Sequence, residues 1–239
     1  MTDREVIEAF IAHLRDHGFP GLKVDRWPED ENRSSKEIDT LAGPLAIEHT
    51  SVDTLPNQRR DSDWFMKAVG GIEAELSGSL PFRLNISLDY EAIAKGQRWV
   101  SIRNALKNWI IEDSPNLPDG RHILENVSGI PFRLRVTKAS DRRPGLFIAR
   151  YVPEDETLPE RIRLQFGAKS GKLAKYKDRG LITVLLVESD DIALMNGSVM
   201  FEAICRAFPH AATIGVDQIW YADTSIPSEI EFIDFTHKI

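Results

Sequence analysis

Apolar and polar positions along the chain alternate between helical and strand-like spacing. After Thr2 and Glu5, which fit a capping box, Val6, Ile7, Phe10, Ile11 and Leu14 recur at helical intervals until Gly18 stops the run. KEIDTL and PLAIEHT are two short strand-like runs separated by Ala42 and Gly43, the pattern of a β-hairpin. Residues 61–77 place Trp64, Phe65, Ala68, Ile72 and Leu76 at helical spacing, interrupted by Gly70 and Gly71. FRLNISL alternates strictly, with Phe82, Leu84, Ile86 and Leu88 on one face, as in a half-buried strand. Helical spacing returns through Trp99, Ile102 and Leu106, and Pro115, Pro118 and Gly120 close that segment. FRLRVT and LFIARYV flank ASDRRPG and predict a second hairpin, and PEDETLPE reads as an exposed loop. A basic helix over 169–179 then leads into ITVLLVE, whose unbroken apolar run predicts a strand covered on both faces. A helix over 198–208 and short strands over 218–222 and 229–235 complete the pattern, with no internal repeat.

This order predicts an α/β fold with a mixed central sheet flanked by helices. The 239 residues are expected to form a single domain, with 82–150 as a candidate insertion within it. No apolar run approaches the length of a bilayer span, so no membrane partner is expected. The opening MTDREVIEAF lacks the basic, apolar and small-residue order of a secretion signal, which makes a cytoplasmic location the expectation. Cys205 is the only cysteine, which excludes an intrachain disulfide and a cysteine-based zinc cluster. The net charge of −7 excludes binding of nucleic acid by bulk electrostatics and leaves that role to local basic patches.

EIDTLAGPLAIEHT concentrates the candidate chemistry. With Ala42 and Gly43 as the turn, Leu41 faces Pro44, Asp39 faces Ala46, and Glu48 shares the face of Ala46 because side chains alternate with period two. Two carboxylates on one face offer hard oxygen ligands for Mg²⁺ or Mn²⁺. Glu48 also ends the apolar run Leu45, Ala46, Ile47, where an uncompensated charge is costly. An ordinary hairpin with exposed acids, or a structural ion pair, is the alternative. His49 should point to the opposite face, as a packed or exposed histidine rather than a ligand.

A helix, then an acid before a hairpin, then Ile-Glu-His-Thr resembles the PD-(D/E)XK, or restriction-endonuclease-like, superfamily. The resemblance covers roughly the first third of the chain and part of the last. It implies a restriction-endonuclease-like core and a metal-dependent nuclease-like hydrolase, with Asp39 and Glu48 as metal ligands. It also implies nucleic acid as partner, and it allows a homodimer. Glu8, on the first helix, is a further candidate ligand. Thr50 stands where the family has its catalytic lysine and is a candidate for positioning water. Lys67 is the first candidate to restore the positive charge, ahead of Arg59, Arg60 and Lys36. Without a substitute, the chain would instead be a catalytically inactive member of that fold that binds nucleic acid or protein.

Two basic patches are candidate phosphate contacts. The first comprises Arg161, Arg163, Lys169, Lys172, Lys175 and Arg179; the second comprises Arg133, Arg135, Lys138, Arg142 and Arg143. A solvated basic face is the alternative for each. GAKSGKL resembles a phosphate-binding loop, but it has one residue too few between its glycines and Leu173 where serine or threonine is required.

Overall fold

The computed structural model describes residues 1–31, 37–76, 78–210 and 214–236. Along the chain run α1 (Asp3–Asp16), α2 (Pro28–Glu31), β1 (Thr40–Ala42), β2 (Leu45–Ser51), α3 (Gln58–Val69), α4 (Ile72–Glu75) and β3 (Arg83–Asp89). They are followed by α5 (Trp99–Asn108), β4 (Gly120–Leu124), β5 (Leu134–Ala139) and β6 (Gly145–Tyr151). The last elements are α6 (Leu158–Lys177), β7 (Ile182–Ser189), α7 (Gly197–Ala207), β8 (Gln218–Asp223) and β9 (Glu231–Asp234). The fold is α/β, with two mixed sheets flanked by helices. Met1–Pro56 with Asp155–Ile239 form one compact unit, and Asn57–Glu154, which contains 82–150, form another. Among the described residues no helix is long and apolar enough to cross a membrane.

The first unit carries the sheet β1-β2-β7-β8-β9. Its centre is β7, the ITVLLVE run, paired in parallel with β2 on one side and β8 on the other. A strand with neighbours on both edges and helices on both faces has no polar face to offer, which explains its unbroken apolar sequence. Leu45, Ile47, Val184 and Leu186 pack with Val6, Ile7, Phe10 and Leu14 of α1. On the opposite face, Leu185, Val187 and Ile219 pack with Ile162 and Phe166 of α6 and Ile204 of α7. Ala46 meets Leu173 and Tyr176 of α6.

The β1–β2 hairpin forms in a different register from the expected one. Ala42 pairs with Leu45 and Leu41 with Ala46, so the turn is Gly43–Pro44. Gly43 has φ +52°, a conformation glycine adopts without steric cost. The helix expected over 61–77 is broken at Gly70 and Gly71: α3 stops at Val69, and Gly71, at φ +83°, precedes α4. The basic helix is longer than predicted, because α6 already begins at Leu158 with Pro159 in its first turn.

In the second unit the order is β4-β5-β3-β6. Here the expected second hairpin is not formed. β5 pairs antiparallel with β3 and β6 pairs parallel with β3, so β3 lies between the two strands of the supposed hairpin. Five residues, 140–144, are long enough to cross the roughly 10 Å between second-neighbour strands. The alternation of β3 is therefore that of a central strand with one buried face. Leu84, Ile86 and Leu88 lie with Leu134, Val136 and Ile148 against Ala68, Ile72, Ile102 and Leu106.

Lys138 shares that buried face, contrary to its place in the second basic patch. Its Nζ donates to the carbonyl oxygens of Ser114 (3.2 Å), Pro115 (2.7 Å) and Leu117 (2.7 Å) and sits 4.2 Å from the centre of the Phe82 ring. Replacing it by an apolar side chain of similar length leaves those carbonyls without a donor. Lys138→Met is expected to lower stability by about 2 kcal/mol in urea denaturation. A change under about 0.5 kcal/mol would show that the ammonium is not structural.

Candidate functional site

Alternation along β2 turns Ala46, Glu48 and Thr50 toward α6 and His49 toward α1. The Glu48 side chain is fully buried, 0% exposed. A carboxylate in that position requires compensation, and two lysines spaced three residues apart on α6 supply it. Lys169 Nζ lies 2.6 Å and Lys172 Nζ 2.7 Å from the same oxygen, Glu48 Oε1. Burial opposes the charge on Lys172, but the hydrogen bond and charge of Glu48 prevail and hold its pKa above the ordinary lysine value. The other oxygen, Glu48 Oε2, is buried without a hydrogen-bond partner among the described residues. Buried carboxylate oxygens are ordinarily satisfied, so an orphan beside two cations requires a reason.

Continuing the hairpin register beyond Thr40↔Ile47 brings Asp39 opposite Glu48. The Asp39 carboxyl is raised to about 7, first by burial, then by the negative charge of Glu48 and a hydrogen bond with Glu29. The His49 backbone N–H, 2.6 Å from Asp39 Oδ2, and the charge of Lys169 act in the opposite direction. A hydrogen bond between two carboxyl groups needs a proton on one of them, and Asp39 is the group whose surroundings favour holding it. Beside it is a pocket of about 120 Å³, lined by Asp3, Arg4, Ile7, Trp27 and Glu29, among others.

A second polar cluster occupies the α1 face. His49 Nε2 is 3.0 Å from Glu188 Oε2, and Asp3 Oδ1 lies 3.7 Å from His49 Nδ1. Ser51 Oγ donates to Glu188 Oε2 at 2.9 Å and Thr224 Oγ1 to Oε1 at 2.7 Å. Burial would raise the Glu188 pKa, but His49, Thr224 and Ser51 hold it at about 2. Asp3, His49 and Glu188 have ligand atoms within 4.8 Å of one another and form the one group of three metal-ligating side chains at that spacing among the described residues. Both oxygens of Glu188 are already engaged, however. Among the buried carboxylate oxygens of the described residues, the one without a partner belongs to Glu48; His49 Nε2, though 3.0 Å from Glu188 Oε2, likewise makes no well-formed hydrogen bond.

The other candidates fall elsewhere. Thr50 Oγ1 accepts from Gln165 Nε2 at 2.5 Å. Glu8 is exposed on α1, and no hydrogen bond or ion pair links it to Glu48 among the described residues. Lys67 belongs to the second unit, where its Nζ is 2.5 Å from Asp63 and 5.6 Å from the centre of the Trp99 ring; the cations at Glu48 come from α6 instead. Arg59 and Arg60 are also in that unit, and Arg60 pairs with Asp61. Lys36 lies outside the described residues.

The first basic patch is largely committed within the fold. Arg161 donates to the carbonyl oxygens of Asp53 and Thr54, and Arg163 to that of Ala207. Lys175 pairs with Glu37 at 2.6 Å, and the Arg179 guanidinium lies over the Tyr176 ring. Lys169 and Lys172 therefore serve Glu48 rather than a solvated face. Sequence reasoning missed Glu29, Glu188 and Gln165. For Glu188 the signal was present: like Glu48, it closes an apolar strand.

Asp39 binds its proton more tightly in the folded chain than at its ordinary value of 3.8. The stabilisation from this group is thus fully present below pH 3.8 and lost as the pH rises to about 7. In chelator, urea denaturation between pH 5 and 8 should show a falling component in the wild type that Asp39→Asn removes. Parallel profiles for the two proteins would contradict the raised carboxyl.

No family model matches the sequence, and no curated protein or solved structure matches it.

Proposed function

We propose that the chain is a divalent-metal-dependent phosphodiester hydrolase acting on nucleic acid, with Asp39 and Glu48 as the ligands of Mg²⁺ or Mn²⁺. The observation that carries this reading is the buried Glu48 Oε2 without a partner, beside a second carboxyl whose proton is held first by burial and then by Glu48's charge. A small divalent cation needs only one or two protein carboxylates, the remainder being water and phosphate oxygens, so this donor set fits. When bound, the metal would activate water and neutralise charge developing on the phosphate.

The chain's own residues prepare the site. Lys169 and Lys172 compensate the buried Glu48 side chain and fix Oε1, which leaves Oε2 to act as ligand. Loss of the Asp39 proton near pH 7 frees its carboxylate, while the His49 N–H fixes its orientation. The two ammonium groups supply the positive charge that Thr50 cannot, at a place where a substrate phosphate would meet it.

One observation favours the binding-only alternative. Both lysines already compensate Glu48, so the buried charge is stable without an ion. Labelled single-stranded DNA, duplex DNA and RNA incubated with Mg²⁺, Mn²⁺ or chelator separate the two readings. The wild type should cleave at least one substrate with metal and none in chelator. Glu48→Gln should reduce the rate by about 100-fold or more and Lys172→Met by about 10- to 100-fold. Lys67→Ala should match the wild type. No cleavage of any substrate by folded wild type in either metal leaves the binding module as the function.

A further inference from the structure

The negative charge of the chain is unevenly distributed. Asn57–Glu154 carries 15 lysines and arginines against 12 aspartates and glutamates, whereas the remainder carries 15 against 25. Within this basic unit one face of the sheet is covered by the helices and the other is open. The register β4-β5-β3-β6 places Arg121, Thr137, Asn85 and Phe147 in one row across that open face. The next rows in either direction contain Arg83 with Ala139, and Arg135 with Ser87. Tyr151 ends β6 opposite Asp89. Phe147 is 49% and Tyr151 60% exposed, on a face where apolar burial plays no part.

A groove of about 1050 Å³ opens at the Arg83 end of this face, lined by Arg83, Arg121, Arg142 and Arg143 among others. Two acids also line it: Asp119 is already engaged by the Ser140 N–H and hydroxyl, and Asp141 is exposed beside Arg142 and Arg143 in sequence. Arg121, Arg142 and Arg143 are exposed and form no ion pair among the described residues. Arg135, by contrast, is paired with Asp89 and lies 5.1 Å from the centre of the Tyr151 ring, so it stiffens the ring instead of offering a free charge.

We infer that this open sheet face binds single-stranded nucleic acid. Arg121, Arg142 and Arg143 would take backbone phosphates, and Phe147 and Tyr151 would stack on bases. Four strands span about 15 Å, enough for two or three nucleotides laid across them. Rings on a flat, basic platform suit a strand whose bases are free to unstack, because a duplex turns its bases inward and offers only phosphates. None of these residues is among those proposed to act at Glu48; every one lies in Asn57–Glu154.

The test is fluorescence anisotropy with the 239-residue chain in chelator, so that cleavage plays no part. Labelled 12-nucleotide single-stranded DNA, the same sequence as RNA, and the DNA duplex are titrated at two or more salt concentrations. At least one single strand should bind more than about 5-fold tighter than the duplex. Phe147→Ala should weaken that binding by about 5-fold or more, and Phe147→Trp should restore it. The double variant Arg142→Ala/Arg143→Ala should weaken it and reduce the slope of log K against log salt by about 1.4. These residues are exposed, so thermal midpoints should stay at the wild-type value. The inference is overturned if no strand binds at 50 mM salt, if the duplex binds as tightly as the tighter-binding strand, or if Phe147→Ala binds like the wild type. It is also overturned if polyglutamate competes as well as the strand, which would point to an acidic protein segment.

Discussion

The carboxylate of Glu48, fully buried on the α6 face of β2, imposes a constraint that fixes the surrounding structure. A charge in that position persists only if cations accompany it, and removing one partner of a buried pair costs about 3–5 kcal/mol. Whole domains are stable by about 5–15 kcal/mol, so this arrangement cannot be left to chance. Lys169 and Lys172 answer it together, which ties α6 to the sheet at one register. The same helix then holds the chain that leaves β2: Gln165 donates to Thr50 Oγ1 and the Ser51 carbonyl, and Arg161 to the carbonyls of Asp53 and Thr54. The polar side of α6 thereby acts as a clamp along the second half of β2.

Two carboxylates end up on opposite faces of the same pair of strands with opposite chemistry. Glu188 has both oxygens hydrogen-bonded and is held ionised at about 2, the condition of a structural anion. Glu48 keeps one oxygen without a partner, and its charge helps raise Asp39 to about 7. Functional sites are where such unresolved electrostatics are tolerated. That contrast within one sheet favours Asp39 and Glu48 over Asp3, His49 and Glu188 as the proposed ligands.

Much of this was legible in the sequence because burial writes a period. The capping box at Thr2, the alternation of FRLNISL and the unbroken ITVLLVE run each became the element their pattern implied. What periodicity does not encode is which strands pair. The inserted β3 between β5 and β6 was invisible because both neighbours show the same two-residue alternation whether or not they touch. The acids of the hairpin were legible, since an apolar run ending in Glu48 demands compensation. The source of that compensation was not: Lys169 and Lys172 are more than 120 positions away and look in sequence like any basic helix face. Lys138 misled for the same reason, because a lysine serving buried carbonyls reads as one serving phosphate.

In the proposed site the free oxygen of Glu48 and the carboxylate of Asp39 hold a divalent cation while the lysines remain on Oε1. Anomalous diffraction from crystals soaked in Mn²⁺ near pH 8 tests it most directly. The expected result is one strong peak about 2.1 Å from Glu48 Oε2 and from an Asp39 oxygen, with Lys169 and Lys172 still paired to Oε1. A peak instead among Asp3, His49 and Glu188, or none near Glu48 at saturating metal, would contradict it.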